Sequence, residues 1–195
     1  MTMIRHLPHF IVGAVLTTAC ASQPSPAAKP QSDWQASDAA GVRALLLARH
    51  PEALPTKETL DHHLCAACSL RHLATTDSTI LVRARALKLL DFYPDAMSEQ
   101  LWLAVINDSK QNSKLRAAAI HALRSLPLAD RADLREVLRG ALASADVQVA
   151  VAAVEVAGGV AQLKSSVREL GENASVAPEV RRAAERVSVT TSDQP

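Results

Sequence analysis

The feature that most constrains the fold of this 195-residue chain is a short segment that recurs with a nearly fixed period. The four copies begin at Val82, Leu115, Val149 and Val180, so their starts are 33, 34 and 31 residues apart. Each copy opens on an aliphatic residue, here called position 1, and carries alanine at position 5. A period of this length is the signature of stacked structural repeats, each too small to bury its own apolar face.

Within each copy the apolar residues recur at helical spacing, at positions 1, 5 and 8, which predicts one amphipathic helix per copy. A second helix is predicted between successive copies, over Ser98–Asn107, Asp130–Ser144 and Val160–Leu170. Pro94, Pro127 and the Gly158-Gly159 pair mark the turns between helices. No segment alternates with the two-residue period of a strand, so we expect an all-α protein with essentially no sheet.

The repeated pattern Val-Arg-x-x-Ala-x-x-Ala-Leu resembles HEAT-like repeats, and the resemblance extends over about residues 42–187. It implies an α-solenoid of about four and a half helix pairs, which we place at residues 36–189. Arginine recurs at position 2 of the units, except in the unit that begins at Val149, where Ala150 stands there. The alternative, a tetratricopeptide array, requires aromatic residues at fixed places, and this chain has only two Trp, one Tyr and two Phe. The resemblance implies a surface for a protein partner and no particular reaction.

The N-terminus has the pattern of an export signal: one positive charge at Arg5, then an apolar run too short to span a bilayer. The stretch Leu16-Thr17-Thr18-Ala19-Cys20 resembles the lipobox of bacterial lipoproteins, although that family usually has leucine three residues before the cysteine. The resemblance implies a signal peptide at residues 1–19 and a lipid on Cys20. An ordinary secretory signal with an incidental Cys20 is the alternative. By the same resemblance, Ala21 favours an outer-membrane anchor facing the periplasm.

Residues 20–35 are rich in proline and small residues, which predicts an extended tether between the lipid anchor and the folded domain. Residues 190–195 are predicted to form a disordered tail. The whole chain has 21 Lys+Arg against 20 Asp+Glu, and this neutral balance argues against nucleic acid as a partner. The partners we expect are the membrane, through the lipid, and a protein of the cell envelope.

A cluster of potential ligands, DHHLCAACSLRH, begins at Asp61 and falls on a second helix predicted over residues 57–73. Haem attachment is excluded because C-x-x-C-H needs histidine where Ser69 stands. A zinc or copper site would use Cys65, Cys68, His62 and His72. Asp61, Cys65, Cys68 and His72 would lie along one face of this helix, but a straight helix spreads these four residues over about 16 Å.

A disulfide between Cys65 and Cys68 is favoured, because helix geometry brings their Cα atoms within about 5 Å and an exported protein meets an oxidising compartment. Alignment of the units predicts Cys68 in the core and Cys65 at its edge. A redox-active pair is the other alternative. It is disfavoured because Cys65 would follow several helical residues, whereas reactive pairs lie at helix N-termini.

Outside this cluster the sequence offers little chemistry. No phosphate-binding loop, nucleophile elbow or H-E-x-x-H motif occurs, so we expect a non-enzymatic protein without a cofactor. Trp102, on a second helix, is predicted either to anchor a partner together with Arg135 or to fill the core between units. His121 is interpreted as a surface or boundary residue and Trp34 as a seal over the first unit.

Overall fold

The computed structural model describes residues 34–47 and 54–192, with the side chains of 190–192 excepted. The predicted signal peptide, Cys20 and nearly all of the tether lie outside the described residues. So do residues 193–195 of the predicted tail. Helix α10 continues to Ser192, three residues beyond the predicted end of the solenoid.

The described chain is all-helical, without a strand, as the absence of two-residue alternation predicted. Its ten helices are α1 Ala39–Leu46, α2 Lys57–Asp61, α3 Ala66–Thr76, α4 Ile80–Leu89, α5 Ala96–Asn107, α6 Ser113–Ala122, α7 Ala132–Leu142, α8 Val147–Ala157, α9 Lys164–Glu172 and α10 Pro178–Ser192. Short 3-10 turns over Leu90–Phe92 and Leu123–Ser125 extend α4 and α6. None of these helices has the length and apolarity needed to cross a membrane.

The helices form two layers that follow the repeat. The first-helix layer consists of α4, α6, α8 and α10, which pack one on the next in chain order. The second-helix layer consists of α3, α5, α7 and α9, each of which packs on the first helix that follows it. The repeat seen in the sequence is therefore the repeat of the structure, an array of helix pairs around one continuous core.

Alanine at position 5 allows this close packing. The alanines of the four copies, Ala86, Ala119, Ala153 and Ala184, are all fully buried. The aliphatic residues at position 1 are buried with them. A methyl side chain keeps adjacent first helices near enough for their backbones to pack, and burial of the aliphatic residues supplies the favourable free energy.

The recurring arginine at position 2 joins neighbouring helices. Arg83 Nε donates to the Ala74 carbonyl at 2.9 Å, and Arg116 Nε donates to the Ile106 carbonyl at 3.1 Å. Both acceptors lie near the C-terminal end of the preceding second helix, where carbonyls lack intrahelical donors.

In the first unit the arginine has a carboxylate partner instead, because Arg43 Nε donates to Asp77 Oδ2 at 2.5 Å. Asp77 also accepts from the Thr79 amide at 2.7 Å, which orders the turn between α3 and α4. Burial alone would raise the pKa of Asp77, but the hydrogen bonds from Arg43 and Thr79 hold it below its usual value.

The prediction of a single helix over residues 57–73 is wrong. The structure has two helices there, α2 and α3, separated by a turn in which Cys65 adopts left-handed backbone angles, φ 42° and ψ 69°. The physical reason is helical phase: on one continuous helix Leu60 and Leu73 would lie roughly 140° apart around the axis, on different faces. The break lets both leucines enter the core, at the expense of Leu64, which is 50% exposed.

Candidate functional sites: the first-helix groove and the Cys65–Cys68 disulfide

A groove of about 480 Å³ runs across the first-helix layer, over α4, α6 and α8. Its floor is formed by the residues at positions 3 and 4 of three successive units. They are Ala84, Arg85, Ala117, Ala118, Val151 and Ala152. Because the same positions recur and, apart from Arg85, carry alanine or valine, the groove crosses the units with a mostly apolar floor.

The rim of the groove is formed by position 7 and by the residue before position 1. Position 7 contributes Lys88, His121 and Glu155, and the residue before position 1 contributes Lys114 and Gln148. Both lysines are exposed, and within the described residues neither forms an ion pair.

Arg85, on the floor, donates from Nη1 to the Leu46 carbonyl at 2.6 Å. With Lys88 and Lys114 it gives the groove three cationic side chains.

The one carboxylate of the groove lining already has neighbours. Glu155 Oε2 lies 3.8 Å from His121 Nε2 and 3.9 Å from Arg124 Nη2. Burial, together with the charge of Arg124, holds the pKa of His121 below its ordinary value, which favours the neutral ring. The exposed cations that the lining presents to a ligand are therefore Lys88 and Lys114.

Trp102 does not reach the surface, and the prediction that it could anchor a partner is wrong. Its side chain is fully buried, and its indole Nε1 donates to the Leu87 carbonyl at 3.1 Å. That carbonyl lies in the last turn of α4, where it lacks an intrahelical donor. The second of the two predicted roles, filling the core between units, is the one that the structure has.

Arg135, the other residue predicted to contact a partner, supports the turn before its own helix. Its Nη1 donates to the carbonyls of Leu128 at 3.1 Å and Ala129 at 2.5 Å. The guanidinium thus satisfies carbonyls in the turn that leads into α7. The structure does not bring Arg135 and Trp102 together into one exposed surface.

Cys65 and Cys68 form a disulfide, the pairing predicted from the sequence. The predicted burial difference between them is wrong: both cysteines are half-buried. The position of the pair on its helix also differs from the prediction. Cys65 is the N-cap of α3, and Cys68 is the third residue of that helix. The break between α2 and α3, which lets Leu60 enter the core, therefore also places the two cysteines at a helix N-terminus.

The histidines proposed as metal ligands do not converge with these cysteines. His62 is exposed, and His72 packs against Trp34 with ring centroids 5.4 Å apart. No group of three or more His, Cys, Asp or Glu side chains among the described residues is placed to hold a metal ion.

Trp34 closes the end of the array, as predicted. It is half-buried, and its indole Nε1 donates to Ser69 Oγ at 3.0 Å.

The groove was not predicted, because the sequence pattern pointed to a binding surface on the second helices. A detectable signal existed: alanine or valine at positions 3 and 4, with Arg85 the exception, recurs in step with lysine, histidine and glutamate at position 7. Comparison with known proteins adds no relative, because no protein-family model and no curated protein matches this chain.

Proposed function

We propose that this protein is a lipid-anchored scaffold or adaptor of the bacterial cell envelope that binds a protein partner through the first-helix groove. The observation that carries the proposal is the groove itself, with alanine and valine repeated along its floor over three units and exposed lysines at its rim. The HEAT-like pattern supports it, because arrays of this kind offer extended helical surfaces to partners.

The charge of the groove defines the chemistry of the partner. Lys88 and Lys114 are exposed cations beside alanine and valine. An amphipathic segment with acidic side chains along one edge and aliphatic side chains along the other would match both features. The proposed partner is a protein that carries such an acidic amphipathic segment.

The first experiment locates the contact surface in cells that express the full chain. A photo-cross-linking amino acid replaces Gln148, which lines the groove, or Gln100, which is exposed on α5 in the second-helix layer. One partner protein should cross-link from position 148 and not from position 100, and the captured peptide should be acidic. Capture from position 100 alone would contradict the proposal.

Charge reversal then tests the electrostatic part. Lys88→Glu combined with Lys114→Glu should reduce recovery of the cross-linked partner at least about tenfold, equivalent to about 1.4 kcal/mol, because like charges would then face each other. The matched control is Lys110→Glu combined with Lys164→Glu, which makes the same charge change at exposed lysines outside the groove. Equal losses in both variants, or no loss in either, would overturn the groove as the binding surface.

Lipid anchoring through Cys20 is a separate part of the proposal. Because two fatty acyl chains hold a protein on a membrane far more firmly than its surface charges can, Cys20→Ser should move the protein from the membrane fraction to the soluble periplasmic fraction. Fractionation and immunoblotting measure this distribution. A variant that stays on the membrane in full would show that Cys20 carries no anchor.

A further inference from the structure

The Cys65–Cys68 disulfide lies at the N-terminal end of α3, where a cysteine thiolate can be stabilised. Cys65 is the N-cap of this 11-residue helix, and its side chain makes no capping hydrogen bond. The first-turn N–H groups of a helix lack intrahelical acceptors and carry the positive end of the dipole. A thiolate at Cys65 would therefore be stabilised as soon as the disulfide opened.

A cavity of about 460 Å³ adjoins the other cysteine. Cys68 lines it, together with the apolar side chains of Trp34, Met97 and Leu101 and the polar side chains of Arg71, His72 and Thr75, whereas Cys65 is not part of the lining. Arg71, also in the lining, is held by an ion pair with Asp95 and hydrogen bonds to Ser98. The cavity can therefore receive an apolar residue of a ligand next to Cys68.

We infer that Cys65–Cys68 is a reactive disulfide that exchanges with cysteine thiols of a polypeptide seated in this cavity. The incoming thiolate attacks Cys68 Sγ, a new sulfur–sulfur bond forms there, and the Cys65–Cys68 bond breaks. Cys65 departs as a thiolate at the helix N-terminus. Thiols of lower pKa leave faster in such exchanges, so the two cysteines have different roles: Cys68 is attacked and Cys65 is released.

The second half of the exchange completes the redox balance. A second thiolate of the polypeptide attacks its own sulfur in the mixed disulfide, so that the polypeptide gains a disulfide and Cys68 is released as a thiolate. Two electrons pass from the polypeptide dithiol to the Cys65–Cys68 pair. Two protons lost by the dithiol are matched by two protons taken up by the cysteines. This activity does not depend on the partner proposed for the first-helix groove.

The position of attack can be measured with glutathione as the probe. The full chain, purified with its disulfide intact, is treated with reduced glutathione at neutral pH, quenched with acid and analysed by peptide mass spectrometry. Glutathione should be found on Cys68 in at least tenfold excess over Cys65. An adduct mainly on Cys65, or equal amounts on both, would overturn the assigned roles.

The reactivity itself is tested with dithiothreitol, and thiols are counted by maleimide labelling. The folded protein should be reduced faster than the same chain unfolded in urea, because only the folded state holds Cys65 at a helix N-terminus. Reduction that is slower in the folded state would identify the disulfide as a structural bridge and overturn the inference.

Variants in which one cysteine remains give an independent measurement. In Cys68→Ser the thiol of Cys65 should have a pKa below the ordinary value of about 8.5. In Cys65→Ser the thiol of Cys68 should have the higher pKa of the two. The rate of iodoacetamide alkylation as a function of pH measures both, and circular dichroism checks that each variant is folded. A higher pKa at Cys65 would contradict the leaving-group assignment.

Discussion

Replacing Trp102 by alanine is expected to lower the free energy of unfolding by about 3–5 kcal/mol, the range for removing a large aromatic side chain from a core. The whole side chain is buried, and its indole N–H satisfies the Leu87 carbonyl at 3.1 Å. The variant therefore leaves a cavity between two units and a carbonyl without its donor. Urea denaturation followed by far-ultraviolet circular dichroism measures the change.

Two controls separate packing from surface effects. Trp102→Phe retains most of the ring but loses the donor, so it should cost less than alanine, with a hydrogen-bond component of about 0.5–1.5 kcal/mol. Leu81→Ala removes a side chain that is 51% exposed and should change stability by no more than about 0.5 kcal/mol. If Trp102→Ala were as mild as Leu81→Ala, the tryptophan would not be a core residue.

Two glycines should respond to the same substitution with opposite signs. A Cβ atom at Gly158 would lie 1.9 Å from Val187 Cγ1 and 3.2 Å from Val187 Cβ, because α10 crosses closely over the end of α8. Gly158→Ala should therefore destabilise the protein by about 1–3 kcal/mol. Gly140 lies within α7 with nothing within 4 Å of a Cβ atom, so Gly140→Ala should stabilise by about 0.5–1 kcal/mol.

A double-mutant cycle identifies the cause at Gly158. Val187→Ala removes the atom that the new methyl group would strike. The double variant Gly158→Ala/Val187→Ala should then be more stable than the sum of the two single changes predicts, by about 0.5–3 kcal/mol. Strict additivity would mean that the loss at Gly158 has a source other than this contact. The same denaturation measurement serves all four proteins.

The regular part of the fold was predictable because it depends on local periodicity. Position 1 and position 5 repeat in four copies, and burial of these residues follows directly from helical spacing. The absence of strands from the described residues followed from the same helical spacing. All four copies carry the same apolar pattern. An accidental match at a single residue therefore had little influence on the predicted helices.

The errors occurred where one unit departs from the others. The break before Cys65 depends on Leu60 and Leu73 both entering the core, a tertiary requirement that helix propensity does not record. Trp102 could be assigned to either face from spacing alone, because it stands beside Leu101 and Leu103 on α5. The Cys65–Cys68 pairing was predicted, but its place at a helix N-terminus became visible only with the break.

The alternation of positions along the first helices has a consequence for how this protein can diverge during evolution. Residues that hold the array together occupy positions 1 and 5, and residues that line the groove occupy positions 3, 4 and 7. Lys88 at position 7 is exposed and His121 and Glu155 are half-buried, so mutations at this position can change the charge of the groove while the core residues at positions 1 and 5 stay the same. Under the proposed function, selection for a new partner can therefore act on this surface with little cost to folding, one unit at a time.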